Sequence, residues 1–453
     1  MKKRYLSLLF SAAALLMLAG CGNDDVTFVD PRDAVIPIDT NIAYAAEAEP
    51  DHDPYVLYYA DPRPEENGEN RVLRIEYRKW TFRALPCDGI NPHSVDRAGR
   101  NDKFYVRTQN SYSFDVVNFE TNETKTVSMD HTYAEDGQEL YHKPRAIGAY
   151  NDKYKIQLLS VKNRPAADVI DVNTDKILTV LGDNNTTVDV TATGHSFWLD
   201  VDHCGVIDRV NNYLWIYRVE RNELTGRLTF TLTQKYNLRH PIHVMERVEH
   251  ARNEKDLYLF YATYEGDLSL TPPFYPAVAE FRFDPFSETI EETRVVEFPD
   301  SNTTIDGIKP VTHHIGITPD GRYLIAPDYD GHVYVVDRDS YKVVKTLNAG
   351  LGAAHVNFSE RYDVAIVTSH YAPFVTIIDL KTLTVKDEVT ISHHDFDPQT
   401  KHLLQPHFSY VDPDGRYFYT FATQDGDFVK IDLATDQVVD RLHTGGAPEQ
   451  AHS

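Results

Sequence analysis

Residues 308 to 350 hold four short β-prone runs in succession, and the rest of the chain varies that pattern. His314-Ile315-Gly316-Ile317 is followed by a turn at Pro319-Asp320-Gly321, then by Arg322-Tyr323-Leu324-Ile325-Ala326. A break from Asp328 to Gly331 leads to His332-Val333-Tyr334-Val335-Val336-Asp337, and Tyr341 to Leu347 completes the unit. The runs are β-branched or aromatic. The breaks carry Asp and Gly, which accept the backbone conformations of tight hairpins. Such a unit is one four-stranded antiparallel blade. Blades repeating at about 40–50 residues fold into a β-propeller, an all-β architecture.

Six further stretches fit the same template: 91–129, 143–181, 194–238, 242–298, 354–391 and 406–442. The unit 242–298 is the longest, with an insertion from Gly266 to Tyr275 that contains Pro272-Pro273. Before them, Tyr55 to Ala60, Arg71 to Arg78 and Trp80 to Leu85 give three strands that lack a first strand. The tail, Gly445 to Ala451, is similar to the start of the 354–391 unit, Gly350 to Val356, and supplies that missing strand. Joining both chain ends in one blade closes the ring and removes free sheet edges. The expectation is eight blades. Seven is the alternative, if the N-terminal strands only decorate the ring.

The N-terminus carries a different signal. Lys2-Lys3-Arg4 is a charged start and Tyr5 to Leu18 an apolar run too short to span a bilayer as a mature helix. Leu18-Ala19-Gly20-Cys21 then matches the bacterial lipoprotein signal, in which the cysteine becomes the lipidated N-terminus. The expected organisation is a signal peptide over 1–20, a lipidated end and polar tether over 21–53, and the propeller over 54–453. The protein is then anchored to a bacterial membrane and faces the periplasm or cell exterior. With 45 basic and 69 acidic residues the formal charge is −24, which disfavours nucleic acid and anionic lipid surfaces. The lipid is therefore the expected membrane contact. Cys87 and Cys204 are the cysteines left after processing, and they form either one disulfide or two buried thiols. No Cys-x-x-Cys-His attaches a c-type haem.

The chemistry lies in the histidines. His93, His195, His243, His314, His355 and His407 stand at the start of the first strand of six units, and His313 adjoins one of them. The 143–181 unit has Arg145 near this place with His142 just upstream, and the tail has Glu449. First strands line the central channel of a propeller, so these imidazoles converge on one axis. Cationic imidazoles facing one another repel, and buried neutral ones need partners. A transition metal meets both needs. Six or more histidines exceed what one tetrahedral zinc takes, which points to several ions and to copper. His142 and Glu449 are supplementary candidates. His203 and His250 are expected at the far end of first strands or in the next turn, and His332, His370, His393, His394, His402, His443 and His452 in loops or outer strands, all solvated, with His370 and His402 within reach of a channel mouth. No serine-hydrolase elbow, nucleotide-binding loop or His-Glu-x-x-His occurs, so no nucleotide cofactor is expected.

Thr318-Pro319-Asp320-Gly321-Arg322-Tyr323 with Val333-Tyr334-Val335-Val336-Asp337 resembles the YVTN-type propeller superfamily, over nearly the whole mature chain. Within it, His313-His314, Asn91-Pro92-His93 and Gln405-Pro406-His407 look like elements of the copper propellers of nitrous oxide reductase and thiocyanate dehydrogenase. Val311 and Thr312 stand where nitrous oxide reductase has an acidic residue, and no cupredoxin domain is present. That resemblance implies a copper-dependent oxidoreductase of a small inorganic sulfur or nitrogen substrate, bound in the channel, with an external electron-transfer partner. The chain also resembles the eight-bladed propeller that carries haem d in cytochrome-type nitrite reductase and its biogenesis proteins. This second resemblance implies haem-d binding or assembly. Metal delivery and a non-catalytic interaction scaffold complete the alternatives.

Overall fold

The computed structural model describes residues 55–62, 70–89, 91–99, 103–108, 111–130, 137–248 and 258–448. The signal peptide, Cys21, the tether and Glu449 lie outside the described residues. So do His250 and His452.

The described chain forms eight antiparallel sheets in sequence order: one of three strands, then seven of four. They span residues 56–86, 92–128, 144–182, 197–237, 242–297, 316–348, 353–390 and 410–443, and are called blades one to eight. Every strand pairs with its chain neighbour, so each blade is a meander. This is an all-β, eight-bladed propeller, and the seven-bladed alternative is excluded. The unit boundaries expected from the turn residues agree with the blades to within a few positions. The insertion of blade five is a small flap closed by an Asp267–Phe274 bridge.

One local device recurs at the turn from third to fourth strand. An Asp or Asn ends the third strand, accepts hydrogen bonds from N–H groups two or three residues on, and precedes by four a residue with positive φ. Asp171 accepts from Asn173 at 2.8 Å, and Asp175 has φ of 57°. Asp379 accepts from Lys381 and Thr382 at 2.9 and 2.8 Å, and Leu383 has φ of 52°. The side-chain oxygen replaces a backbone acceptor and so stabilises a turn that β-branched residues disfavour.

The apolar faces of adjacent blades pack on one another all round the ring. Tyr58 and Val72 of blade one meet Phe104 and Val117 of blade two, and similar clusters follow at each seam. The last seam joins blade eight to blade one through Tyr59, Tyr419, Phe421 and Phe428. Burying such a side chain is worth about 1.5–3 kcal/mol. Behind this seam the buried Asp61 carboxylate accepts from Arg71 Nε at 2.8 Å and from the N–H of Ala447 at 3.0 Å. Arg71 also donates to the carbonyl of Thr444 at 2.9 Å. The tail thus reaches blade one, as its sequence suggests. Through residue 448 it forms no strand ladder there, and the contact runs through the Asp61 side chain.

Cys87 and Cys204 are both free and buried, in different seams. The disulfide alternative fails, and burial pushes both thiols up. No helix among the described residues is long and apolar enough to cross a membrane.

Candidate metal centre in the channel

The starts of the first strands are poor places for regular pairing. In blade two Pro92 pairs with Thr108 and Ser94 with Arg107, which leaves His93 as an unpaired bulge residue. Blade three repeats this: Pro144 pairs with Val161 and Ala146 with Ser160, and Arg145 is the extra residue. A bulge re-aims one side chain off the sheet. Where ladder bonds are missing, the starts are tied between blades. The N–H of His195 donates to the carbonyl of His243 at 3.1 Å, and that of His314 to Ala354 at 3.3 Å. Thr263 donates its hydroxyl to the carbonyl of His313 at 3.0 Å.

These ties bring the expected histidines together. His195, His243 and His314 form one group whose ring nitrogens lie within 4.8 Å of one another. His313, His355, His370 and His407 form a second with the same spacing. The groups touch: ring centroids are 4.1 Å apart for His243 and His313, and 4.3 Å for His314 and His355. His93 stands at the edge, 5.8 Å from His407, outside both groups. All are buried except His407, which is half-buried.

His370 is a correction to its expected solvated place. It comes from a second tier, the residues that follow each second strand. In blades three to seven the N–H of this residue bonds a carbonyl just before the first strand: Lys162 to Lys143, Arg209 to Ala192, Glu265 to Pro241, Tyr329 to Val311 and His370 to Gly352, at 2.7–3.3 Å. The second tier therefore sits beside the first. Tyr329 stacks on His313 at 5.1 Å and meets His370 at 5.7 Å. The sequence signal was the end of the strand-like run before His370, equivalent to the ends before Glu265 and Tyr329.

His142 takes no part. It is buried in blade three with Nδ1 on Asp168 at 2.8 Å and Nε2 on Asn184 Oδ1 at 2.6 Å, so both nitrogens are engaged. The remaining histidines also stay apart. His203 pairs with Asp200, His332 with Asp330 and His443 with Asp427, while His393, His394 and His402 are exposed.

The protonation of the groups suits metal ligation. Burial pushes His243 down to about 4, helped by the charge of Arg145 and opposed by Glu265. Burial, opposed by the hydrogen bond to the Gln405 carbonyl, puts His370 at about 4. Burial and four neighbouring imidazoles hold His313 well below its ordinary value. These rings are neutral at neutral pH, the form that ligates a metal. Their other nitrogens fix which lone pair faces the channel. His370 Nδ1 lies 3.1 Å from the carbonyl of Gln405, which can only accept, so Nδ1 carries the proton and Nε2 the lone pair. That Nε2 is buried with no hydrogen-bond partner, as is Nδ1 of His313. His243 Nδ1 lies 3.4 Å from Glu265, and His314 Nδ1 lies 3.1 Å from Glu246. A carboxylate behind an imidazole is the usual outer support of a metal-bound histidine. Burial would raise Glu265, yet the His243 hydrogen bond and the Arg209 charge hold it at about 2, so it is ionised. Orphaned imidazole nitrogens, neutral rings and carboxylate supports together fit transition-metal ions.

No family model matches the chain, and no curated protein does. Solved structures match in fold. The chain is similar to the dihydro-haem d1 dehydrogenase NirN in complex with DHE, at 12% identity and a TM-score of 0.60, covering 88% of this chain and 75% of that one. The Dos1 propeller matches at 13% identity and TM-score 0.55, over 79% and 85% of the two chains. Saccharomyces cerevisiae Sqt1 matches at 8% identity and TM-score 0.54, over 78% and 85%. At these identities the likeness shows a β-propeller and nothing finer.

Proposed function

We propose that this protein is a copper-binding oxidoreductase of a small inorganic sulfur or nitrogen compound, lipid-anchored through Cys21 on the outer side of a bacterial cytoplasmic boundary. The observation that carries the metal assignment is the pair of touching imidazole groups, with buried, partnerless nitrogens on His313 and His370. His195, His243 and His314 would hold one part of the site. His313, His355, His370 and His407 would hold the other, with His93 at the margin. Seven imidazoles exceed one tetrahedral zinc and suit copper. Bound copper supplies one-electron chemistry. Glu246 and Glu265 orient His314 and His243, and Tyr329 stacks on His313. Electrons then pass to or from an external partner protein.

The likeness to NirN favours a second reading, in which one or two of the same histidines hold a haem-d type tetrapyrrole for binding or assembly. Elemental analysis and an optical spectrum of the purified protein separate the two. Several copper equivalents per chain without a porphyrin band support the first. A porphyrin-type band supports the second. Neither metal nor pigment sinks both and leaves a scaffold. His355→Ala and His370→Ala should each lower bound metal while the strand signal in circular dichroism stays. The exposed His393→Ala should change neither.

A further inference from the structure

The ring around the channel is not uniform. Arg145 occupies in blade three the unpaired bulge position that His93 holds in blade two, so a guanidinium stands among the imidazoles. In the second tier, blades three and four supply Lys162 and Arg209 where blades five to seven supply Glu265, Tyr329 and His370. Arg107, on the second strand of blade two, is 2% exposed. One flank of the channel therefore gathers four cationic side chains. Against them stands Glu265, which accepts from Arg209 and lies 3.4 Å from His243 Nδ1. The Nε atoms of Arg145 and Arg209 are buried without a hydrogen-bond partner.

The charges of these groups act on one another. Burial pushes Arg145 down to about 10, and the charge of Arg209 adds to the fall. Burial lowers Lys162, with Arg107, Arg145 and Lys143 pressing in the same direction. Arg145 is still a cation at neutral pH. Crowded cations, half-buried at Arg145, Lys162 and Arg209 and buried at Arg107, repel one another and lose hydration. Metal ions on the adjacent imidazoles would add positive charge. An anion between them satisfies both the charge and the guanidinium donors.

We propose that this flank binds a small inorganic anion, gripped by Arg145 with Arg209 and Lys162 beside it, and that the substrate belongs to this class. The substrate role rests on the metal-centre reading above, whereas the binding of the anion does not. The charge of the flank also acts at a distance, drawing anions towards it in a chain that is acidic overall.

The test is calorimetric titration of metal-stripped, full-chain protein in detergent with sodium nitrite and sodium sulfate, at low ionic strength without chloride. Wild type should show saturable binding that weakens as salt rises. Arg145→Gln should weaken it at least tenfold, and Arg145→Lys should retain part of it. Arg282→Gln, an exposed arginine of blade five, should behave as wild type. If Arg145→Gln does not fold, Arg209→Gln and Lys162→Gln carry the same comparison. Equal affinity in wild type and the folded variants overturns the proposal. So does binding that needs loaded metal and ignores Arg145, because the metal then holds the anion. Arginine-dependent binding of iron protoporphyrin with none of nitrite or sulfate also overturns it, by assigning the flank to porphyrin carboxylates. Arginine-dependent nitrite binding in a protein that never takes up metal leaves this proposal standing and removes the metal centre.

Discussion

His142 and His370 show how partners decide what a buried histidine does. His142 faces two acceptors, Asp168 and Asn184 Oδ1, an arrangement that favours the protonated ring, in which both nitrogens donate. Burial opposes that charge, but Asp168 outweighs it and raises the group above its ordinary value. His142→Ala would leave Asp168 buried and uncompensated, a loss of about 3–5 kcal/mol in denaturant melts. The pair also has a pH signature. A group raised on folding contributes stability that is present below its unfolded value and lost as pH rises through the folded one. Asp96, pushed to about 8 by burial against a single Ser94 hydrogen bond, acts in the same sense, as does Asp328 at about 7. His243 and His370, depressed to about 4, act oppositely but only below the ordinary histidine range. Between pH 6.5 and 8 the melting temperature should therefore fall, Asp96 contributing at most about 1.4 kcal/mol per pH unit. Asp96→Asn should flatten the profile in this window. An unchanged slope would show that Asp96 ionises freely in the native state. The sequence put His142 just upstream of the ring and His370 within reach of a channel mouth, but it did not show their roles, because the same residue type is an ion-pair partner in one and a neutral candidate ligand in the other. The difference is the acceptor opposite it, which lies tens of residues away in the chain.

Elements were far more legible than their inner ends. Asp, Asn and Gly mark the hairpins because side-chain oxygens and positive φ are local requirements, and the blade limits followed from them. The first strands were harder. Three of them shrink to two residues, Phe197–Trp198, Gly316–Ile317 and Tyr410–Val411, and the chain before each also bonds a neighbouring blade, through His195 to His243, His314 to Ala354 and Leu404 to His370. Gly194 is the point where this tie is tightest. A Cβ there would lie 2.6 Å from the carbonyl oxygen of His243 and 2.9 Å from the Ile207 side chain. That carbonyl is the acceptor for the His195 N–H. Gly194→Ala should therefore push blades four and five apart beside the channel, at about 1–3 kcal/mol of stability. It should also lower metal bound by the His195, His243 and His314 group. Full stability together with full metal content in elemental analysis would mean that the inner ends tolerate a wider spacing.

At the scale of the molecule, a propeller is a ring of similar seams, and its weakest point is the one that chain connectivity does not hold. Seven seams join blades that follow one another in the chain. Among the described residues, the contacts that join blades eight and one run through side chains: the aromatic cluster of Tyr59, Tyr419, Phe421 and Phe428, and the Asp61 contacts behind it. Tyr59 lies 4.7 Å from Phe421, within the range where ring pairs add to simple burial. The likeness between tail and blade start made this closure readable, since both need the same small residues. It did not reveal Asp61, because a carboxylate after a strand looks like any turn residue. Asp61→Ala removes the acceptor for Arg71 and for the Ala447 N–H together and leaves a partly buried guanidinium behind. The expected loss is about 3 kcal/mol in denaturant melts. The unfolding should also begin at this seam, so limited proteolysis should cut the variant near the tail well before its other blades. Deleting residues 444–453 should reproduce that pattern. The metal groups lie in blades four to eight, so the Asp61 variant should still load metal at temperatures where it is folded. Should Asp61→Ala melt and digest like wild type, the ring is closed by the aromatic seam alone.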